Sequence, residues 1–220
     1  MSADALVYRS RPAAGAPEGA LVVCHGRGAD EHDLEPLLDA LDPERRLVGF
    51  LPRGPLSLPP GGAHWYIVRD VGFPDPGTFL PTFELLSRWV DSVVGDAGVP
   101  PERVVFAGFS QGAVMSYSLA LAASRPRPAG ILAFSGFLPR VEGFELDLAG
   151  RAGLPVSIAH GTHDPIITVS FGRDAKERLE AAGLEVSYVE EPMAHAIGPG
   201  GLAQAREVLE RGLGLADGGG

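Results

Sequence analysis

Residues 103–107, Arg-Val-Val-Phe-Ala, are an apolar, β-branched run, and residues 111–124 form a helix-favouring stretch. Between them stands Gly108-Phe109-Ser110-Gln111-Gly112. No other feature narrows the fold as far. A strand that passes at once into a helix through Gly-x-Ser-x-Gly must turn sharply. The flanking positions then carry no bulk, and the serine takes a strained conformation that points its hydroxyl out of the sheet. The plainer alternative is a glycine-rich turn with a surface serine, and the flanking strand and helix weigh against it.

The rest of the chain repeats this alternation. Residues 20–24, 46–50, 103–107, 130–134 and 155–159 are short apolar runs, as expected of strands buried on both faces of a parallel sheet. Residues 6–9 and 185–189 read as flanking strands. Helical patterns lie between them. In residues 79–96, Leu86, Trp89, Val90, Val93 and Val94 share one face, and residues 111–124, 168–182 and 201–213 follow the same logic, with Gly183 a C-terminal stop. Strands alternating with helices predict an α/β fold, a mostly parallel central sheet with helices on both faces. Residues 52–63 and 72–77 are rich in Pro and Gly and predict a long irregular loop across 52–77.

With 220 residues, 45% of them hydrophobic, the chain can build one core without staples. A single domain over residues 1–213 is expected, followed by a flexible tail at 214–220. The net charge of −10 argues against nucleic acid and anionic membrane surfaces as partners. No apolar run is long enough to span a bilayer, so stable membrane insertion is not expected. The one cysteine, Cys24, excludes an internal disulfide and reads as a small buried hydrophobe. With no secretory signal visible at the start, a cytoplasmic location is expected. A homo-oligomer is compatible with all of this.

An activated serine needs a base, and the base needs an orienting group. In folds that carry this elbow the chain order is serine, acid, histidine. Three histidines follow Ser110, namely His160, His163 and His195. Asp164, just after the run at 155–159, is the expected acid, because open α/β sheets place their sites at strand C-terminal ends. His195, between the last strand and the final helix, is the expected base. His160 reads as a packed residue at the strand end and His163 as a surface loop residue, with His163 the rival base. Asp147 and Asp174 are rival acids that fit less well, one before the strand and one inside a helix.

The oxyanion of a tetrahedral intermediate needs donors. One is expected from the N–H of Gln111, directly after the serine. The other is expected from Arg27 in His25-Gly26-Arg27-Gly28-Ala29-Asp30, the loop after residues 20–24. The Arg27 guanidinium reads equally well as reaching the cleft mouth or as a solvated surface group. No cofactor and no metal are expected. His25, Asp30, His32 and Asp33 with His160, His163 and Asp164 match no zinc spacing, and Lys176 lacks a Ser-x-x-Lys context.

These segments resemble the phospholipase/carboxylesterase family of α/β-hydrolases, which includes acyl-protein thioesterases and small bacterial carboxylesterases. The resemblance rests on His25-Gly26-Arg27-Gly28, Gly108-Phe109-Ser110-Gln111-Gly112, Phe134-Ser135-Gly136-Phe137-Leu138-Pro139, His160-Gly161-Thr162-His163-Asp164-Pro165 and Ala194-His195. It implies a compact hydrolase without a large cap domain, with a triad on Ser110, Asp164 and His195. The chain departs from many relatives in carrying Ala194 rather than glycine before the histidine. The function so implied is hydrolysis of carboxyl esters or thioesters, and the uncharged candidate pocket with no predicted helical cap points to short- to medium-chain acyl groups cleaved through an acyl-enzyme. Long-chain thioesterase or lysophospholipase activity, acyl transfer by the same triad and a non-catalytic binding module are the alternatives. The expected acyl pocket is lined by Trp65, Phe73, Phe109, Phe137, Leu138, Ile166 and Ile197.

Overall fold

The structure, a computed structural model, describes residues 6–215. In chain order it runs β1 (Tyr8–Arg11), β2 (Ala20–Cys24), α1 (Glu35–Leu41) and β3 (Val48–Pro52). Two small hairpins follow, β4 (Leu56–Leu58) with β5 (Gly62–His64), then β6 (Val68–Asp70) with β7 (Phe73–Pro74). The remainder is α2 (Pro76–Asp96), β8 (Val104–Phe109), α3 (Gln111–Leu121), β9 (Gly130–Phe134), β10 (Pro155–Gly161), α4 (Val169–Ala181), β11 (Glu185–Glu191) and α5 (Pro199–Leu213).

Seven strands form one sheet in the order β1-β3-β2-β8-β9-β10-β11, with β1 antiparallel to β3 and every other pair parallel. All five residues of β2 and of β9 are buried, which is why those runs are apolar throughout rather than alternating. Val22, Phe106, Ile131 and Val156 face a core closed by α2, α3 and α4. Leu21, Val105, Leu132 and Ala159 face a second core closed by α1 and α5. Sheet order and direction leave the ends of β2, β8 and β10, and the turn after β11, at one edge of the sheet.

Several boundaries differ from the sequence expectation, each for a local reason. β3 lies at Val48–Pro52 rather than 46–50 because the Asp42 carboxylate accepts the N–H groups of Arg46 (2.9 Å) and Leu47 (3.0 Å), holding those residues in a turn. β1 lies at Tyr8–Arg11 rather than 6–9 because it pairs in register with β3. Helix α2 starts at Pro76, where Asp75 caps it by accepting from the Thr78 N–H at 3.1 Å. Helix α1 is seven residues long and buries Leu37, Leu38 and Leu41, too few turns to show a period. The stretch expected to be irregular at 52–77 carries the two hairpins, whose strands of two or three residues are too short to alternate visibly. Leu215 is buried and its N–H reaches the Glu210 carbonyl at 2.9 Å, while residues 216–220 of the expected tail lie outside the described residues.

Candidate active site

The turn from β8 into α3 puts Ser110 at φ 57° and ψ −120°, a conformation that L-residues rarely adopt. The neighbouring glycines are there for space. A Cβ on Gly112 would sit 1.9 Å from the Cys24 carbonyl oxygen, and one on Gly108 would sit 2.3 Å from the Gly112 carbonyl carbon. The Ser110 N–H is anchored to the Phe134 carbonyl at 2.9 Å. The Gln111 side chain is also occupied, donating to the Tyr66 carbonyl (2.8 Å) and accepting the Trp65 N–H (3.0 Å). It therefore ties the elbow to the segment between the two hairpins, a role that no local sequence pattern signals.

At the end of β10 the Asp164 carboxylate is buried and fully engaged. Its Oδ1 accepts the Ile166 and Ile167 N–H groups, both at 2.9 Å, and its Oδ2 lies 2.6 Å from His195 Nδ1. Burial pushes the carboxyl pKa up, but the hydrogen bond from His195 and those from Ile167 and Ile166 outweigh it, leaving the group below its ordinary value. Asp164 is therefore an anion that fixes the ring it faces. The His195 ring also packs on Phe109, the residue before the serine, with ring centroids 4.6 Å apart. Gly161 makes this juxtaposition possible, since a Cβ there would lie 2.2 Å from the Ala194 carbonyl oxygen. Among the described residues neither the Ser110 hydroxyl nor His195 Nε2 has a hydrogen-bond partner.

The other candidates are placed elsewhere. His163 is exposed, and its N–H donates to the Met193 carbonyl at 3.1 Å. His160 is buried, with Nε2 2.8 Å from the Ile167 carbonyl and 3.5 Å from Asp164 Oδ2, so it braces the loop that holds the carboxylate. Asp147 accepts the Gly150 N–H at 2.8 Å, and Asp174 pairs with Arg140 at 3.2 Å. Among the described residues, no group of three or more His, Cys, Asp or Glu is placed to hold a metal ion. Cys24 is buried, and burial pushes its thiol up to about 12. No helix among the described residues is long and apolar enough to cross a membrane.

The loop after β2 is held from both sides. The Gly28 N–H donates to the Ala63 carbonyl and the Ala63 N–H to the Ala29 carbonyl, each at 2.8 Å. His25 Nε2 accepts the Gly54 N–H (2.9 Å), and its Nδ1 donates to the Gly26 carbonyl (2.7 Å), so the ring is neutral with the proton on Nδ1. Among the described residues the N–H groups of Arg27 and Gln111 have no acceptor in the protein. They are free to donate to a ligand.

Burial lowers the pKa of both His25 and His160 from an ordinary value near 6.5. The unfolded chain therefore takes up protons first as pH falls. Stability from these rings is complete above about pH 6.5 and is lost on acidification toward the depressed folded values. The melting temperature should fall between pH 7.5 and about 5, which calorimetry at several pH values would test. A flat or rising profile would mean that the rings protonate in place.

A cavity of about 310 Å³ opens over Ser110, lined by Arg27, Tyr66, Val68, Val71, Ser110, Gln111, Phe137, Ile166 and Ile167. Of the seven residues expected to line an acyl pocket, Phe137 and Ile166 line this cavity. Phe73 and Leu138 line an adjoining groove with Phe171, and Phe109 packs on His195. Trp65 lies wholly in the core, its Nε1–H donating to the His25 carbonyl at 2.8 Å. Ile197 packs against the core under α5. Neither lines the cavity: the Trp65 ring is turned inward by its long-range hydrogen bond, and Ile197 is half-buried against the second core. Tyr66, Val68 and Val71, which no sequence pattern places there, reach it through the hairpin geometry.

The family described as Phospholipase/Carboxylesterase matches residues 11–212. The chain is 28% identical to acyl-protein thioesterase 1 of Debaryomyces hansenii over 66% of this chain and 66% of that protein, just under two thirds of each. It is 25% identical to acyl-protein thioesterase 1 of Gibberella zeae, over 92% of this chain and 94% of that protein. Among solved structures, the Bacillus cereus carboxylesterase superposes with a TM-score of 0.80 at 24% identity, covering 94% of each chain. That likeness is one of fold, the α/β-hydrolase fold without a large cap.

Proposed function

Because the chain belongs to the phospholipase/carboxylesterase family of hydrolases, we propose that it cleaves carboxyl esters or thioesters through an acyl-enzyme on Ser110. The observation that carries the reading is the 2.6 Å contact between a buried, anionic Asp164 and His195, on a ring packed against the elbow. Ser110 Oγ attacks the acyl carbonyl, and His195 Nε2 takes its proton as the bond forms. Asp164 keeps the other ring nitrogen protonated and stabilises the imidazolium. The developing oxyanion accepts the Arg27 and Gln111 N–H groups. Collapse expels the alcohol or thiol, which leaves with the proton from His195. Water then attacks the acyl-enzyme by the same steps in reverse order and releases the acid. The proton path between serine and imidazole closes on substrate binding.

The test separates the two candidate bases. His195→Ala should lower kcat by roughly 10³-fold or more on p-nitrophenyl butyrate, while His163→Ala keeps most of it. The reverse pattern would move the base to His163. The wall of Val68, Val71, Phe137 and Ile166 suits an apolar acyl group of limited length. Each methylene buried adds about 0.8 kcal/mol until the cavity is full, so kcat/KM should peak at roughly four to eight acyl carbons. A second reading, a long-chain thioesterase, is favoured by the adjoining groove along Leu138, Phe171 and Phe73. A steady rise in kcat/KM to palmitoyl substrates would select it.

A further inference from the structure

Among the described residues Arg27 is the one charged side chain in the wall of the Ser110 cavity. The residue is exposed, and among the described residues its guanidinium makes no hydrogen bond or ion pair. Among the described residues the Arg45 and Arg206 side chains are likewise free, but Arg27 alone of the three lines the cavity over Ser110. The acids on its own loop are committed elsewhere. Arg53 takes Asp30 at 3.3 Å and Glu31 at 3.0 Å, and the Asp33 carboxylate accepts the Asp30 N–H at 2.7 Å. Arg9, Arg11, Arg69, Arg125, Arg140 and Arg173 all pair with carboxylates. The arginine beside the elbow serine is left without an acid, while the rest of the wall is neutral. A guanidinium presents a fork of donors that matches a carboxylate in two parallel bonds.

We propose that the Arg27 side chain binds a carboxylate on the substrate, so that the preferred substrates are esters or thioesters that also carry a free carboxylate. This deepens the serine-hydrolase reading and rests on it. The Arg27 N–H is assigned to the oxyanion, so its guanidinium lies within one arginine side chain of the reacting carbonyl. The carboxylate is therefore joined to the scissile ester by a short spacer, as in the half-ester of a small dicarboxylic acid. Arg27 acts here as a specificity-determining residue and takes no part in bond making.

Two matched substrate pairs test this. Monoethyl glutarate against ethyl valerate places the charge on the acyl side. 4-Acetoxybenzoate against 4-methylphenyl acetate places it on the alcohol side. The wild-type protein should prefer the charged member of at least one pair by about 10-fold in kcat/KM, the size expected of a charged hydrogen-bonded contact open to solvent. Arg27→Gln should abolish that ratio and Arg27→Lys should recover part of it. Because the ratio is taken within each variant, any shared change at the oxyanion site cancels. In the wild-type protein, raising ionic strength should erode the preference, which needs no variant to fold. Hydrolysis of the neutral esters with no preference in either pair, or a preference that survives Arg27→Gln, overturns the inference and leaves the serine-hydrolase reading standing. No hydrolysis of any ester, with no labelling of Ser110 by a fluorophosphonate, overturns both.

Discussion

Ser110→Ala should reduce ester hydrolysis by roughly 10⁴-fold or more while the protein stays folded. The two halves of this expectation have separate grounds. Activity should fall because the hydroxyl is the only nucleophile at the elbow, and Cys24 is buried with its thiol held protonated. Folding should persist because the Ser110 hydroxyl makes no hydrogen bond among the described residues. The turn is held instead by the Ser110 N–H on Phe134 and by the glycine packing around it. Alanine also meets the positive φ with about the same strain as serine. Stability should therefore change by no more than about 0.5 kcal/mol. Steady-state rates with a calorimetric melt check both halves. Near-wild-type turnover by a folded Ser110→Ala protein would end the acyl-enzyme reading.

Gly112→Ala should do the opposite, damaging the fold before the chemistry is reached. Helix propensity alone favours alanine here by about 1 kcal/mol, since Gly112 lies within α3. Packing decides against it. The added Cβ would lie 1.9 Å from the Cys24 carbonyl oxygen and 2.6 Å from that of His25. Both are main-chain atoms at the end of a central strand, so neither can swing away as a side chain would. The cost should exceed about 4 kcal/mol, a large part of the stability of most domains. The comparison is Gly95→Ala in α2, where nothing lies within 4 Å of the new Cβ. That change should stabilise by about 0.5–1 kcal/mol. Denaturant melts of the two variants give the contrast, and a wild-type midpoint for Gly112→Ala would refute the steric account.

Much of the site is written locally in the chain. The run before the elbow, the two glycines around Ser110 and the helix after it are consecutive residues, so their geometry follows from sterics at that point alone. The runs at 20–24 and 130–134 match β2 and β9 to the residue, because burial on both faces demands an unbroken apolar run. The order of Ser110, Asp164 and His195 is likewise legible. Each follows a strand at the same edge of a parallel sheet, and the alternation of strands and helices implies that sheet. The seven-residue α1 and the strands of the two hairpins are not legible, since none is long enough to display a period.

The cavity wall belongs to tertiary structure. Trp65 and Tyr66 are adjacent aromatics, and no local pattern says which one faces the serine. Gln111 settles it by holding both backbones, while the Trp65 ring turns inward to the His25 carbonyl. The state of Arg27 is decided in the same way. Its sequence neighbours include Asp30, Glu31 and Asp33, which would serve as partners in an isolated loop. Arg53, brought in at the end of β3, takes the first two instead. The elbow turn and the strands buried on both faces depend on neighbours in sequence, so the chain alone determines them. Which side chains face the cleft, and which charge is left without a partner, depend on groups tens of residues away, and only folding brings those groups together.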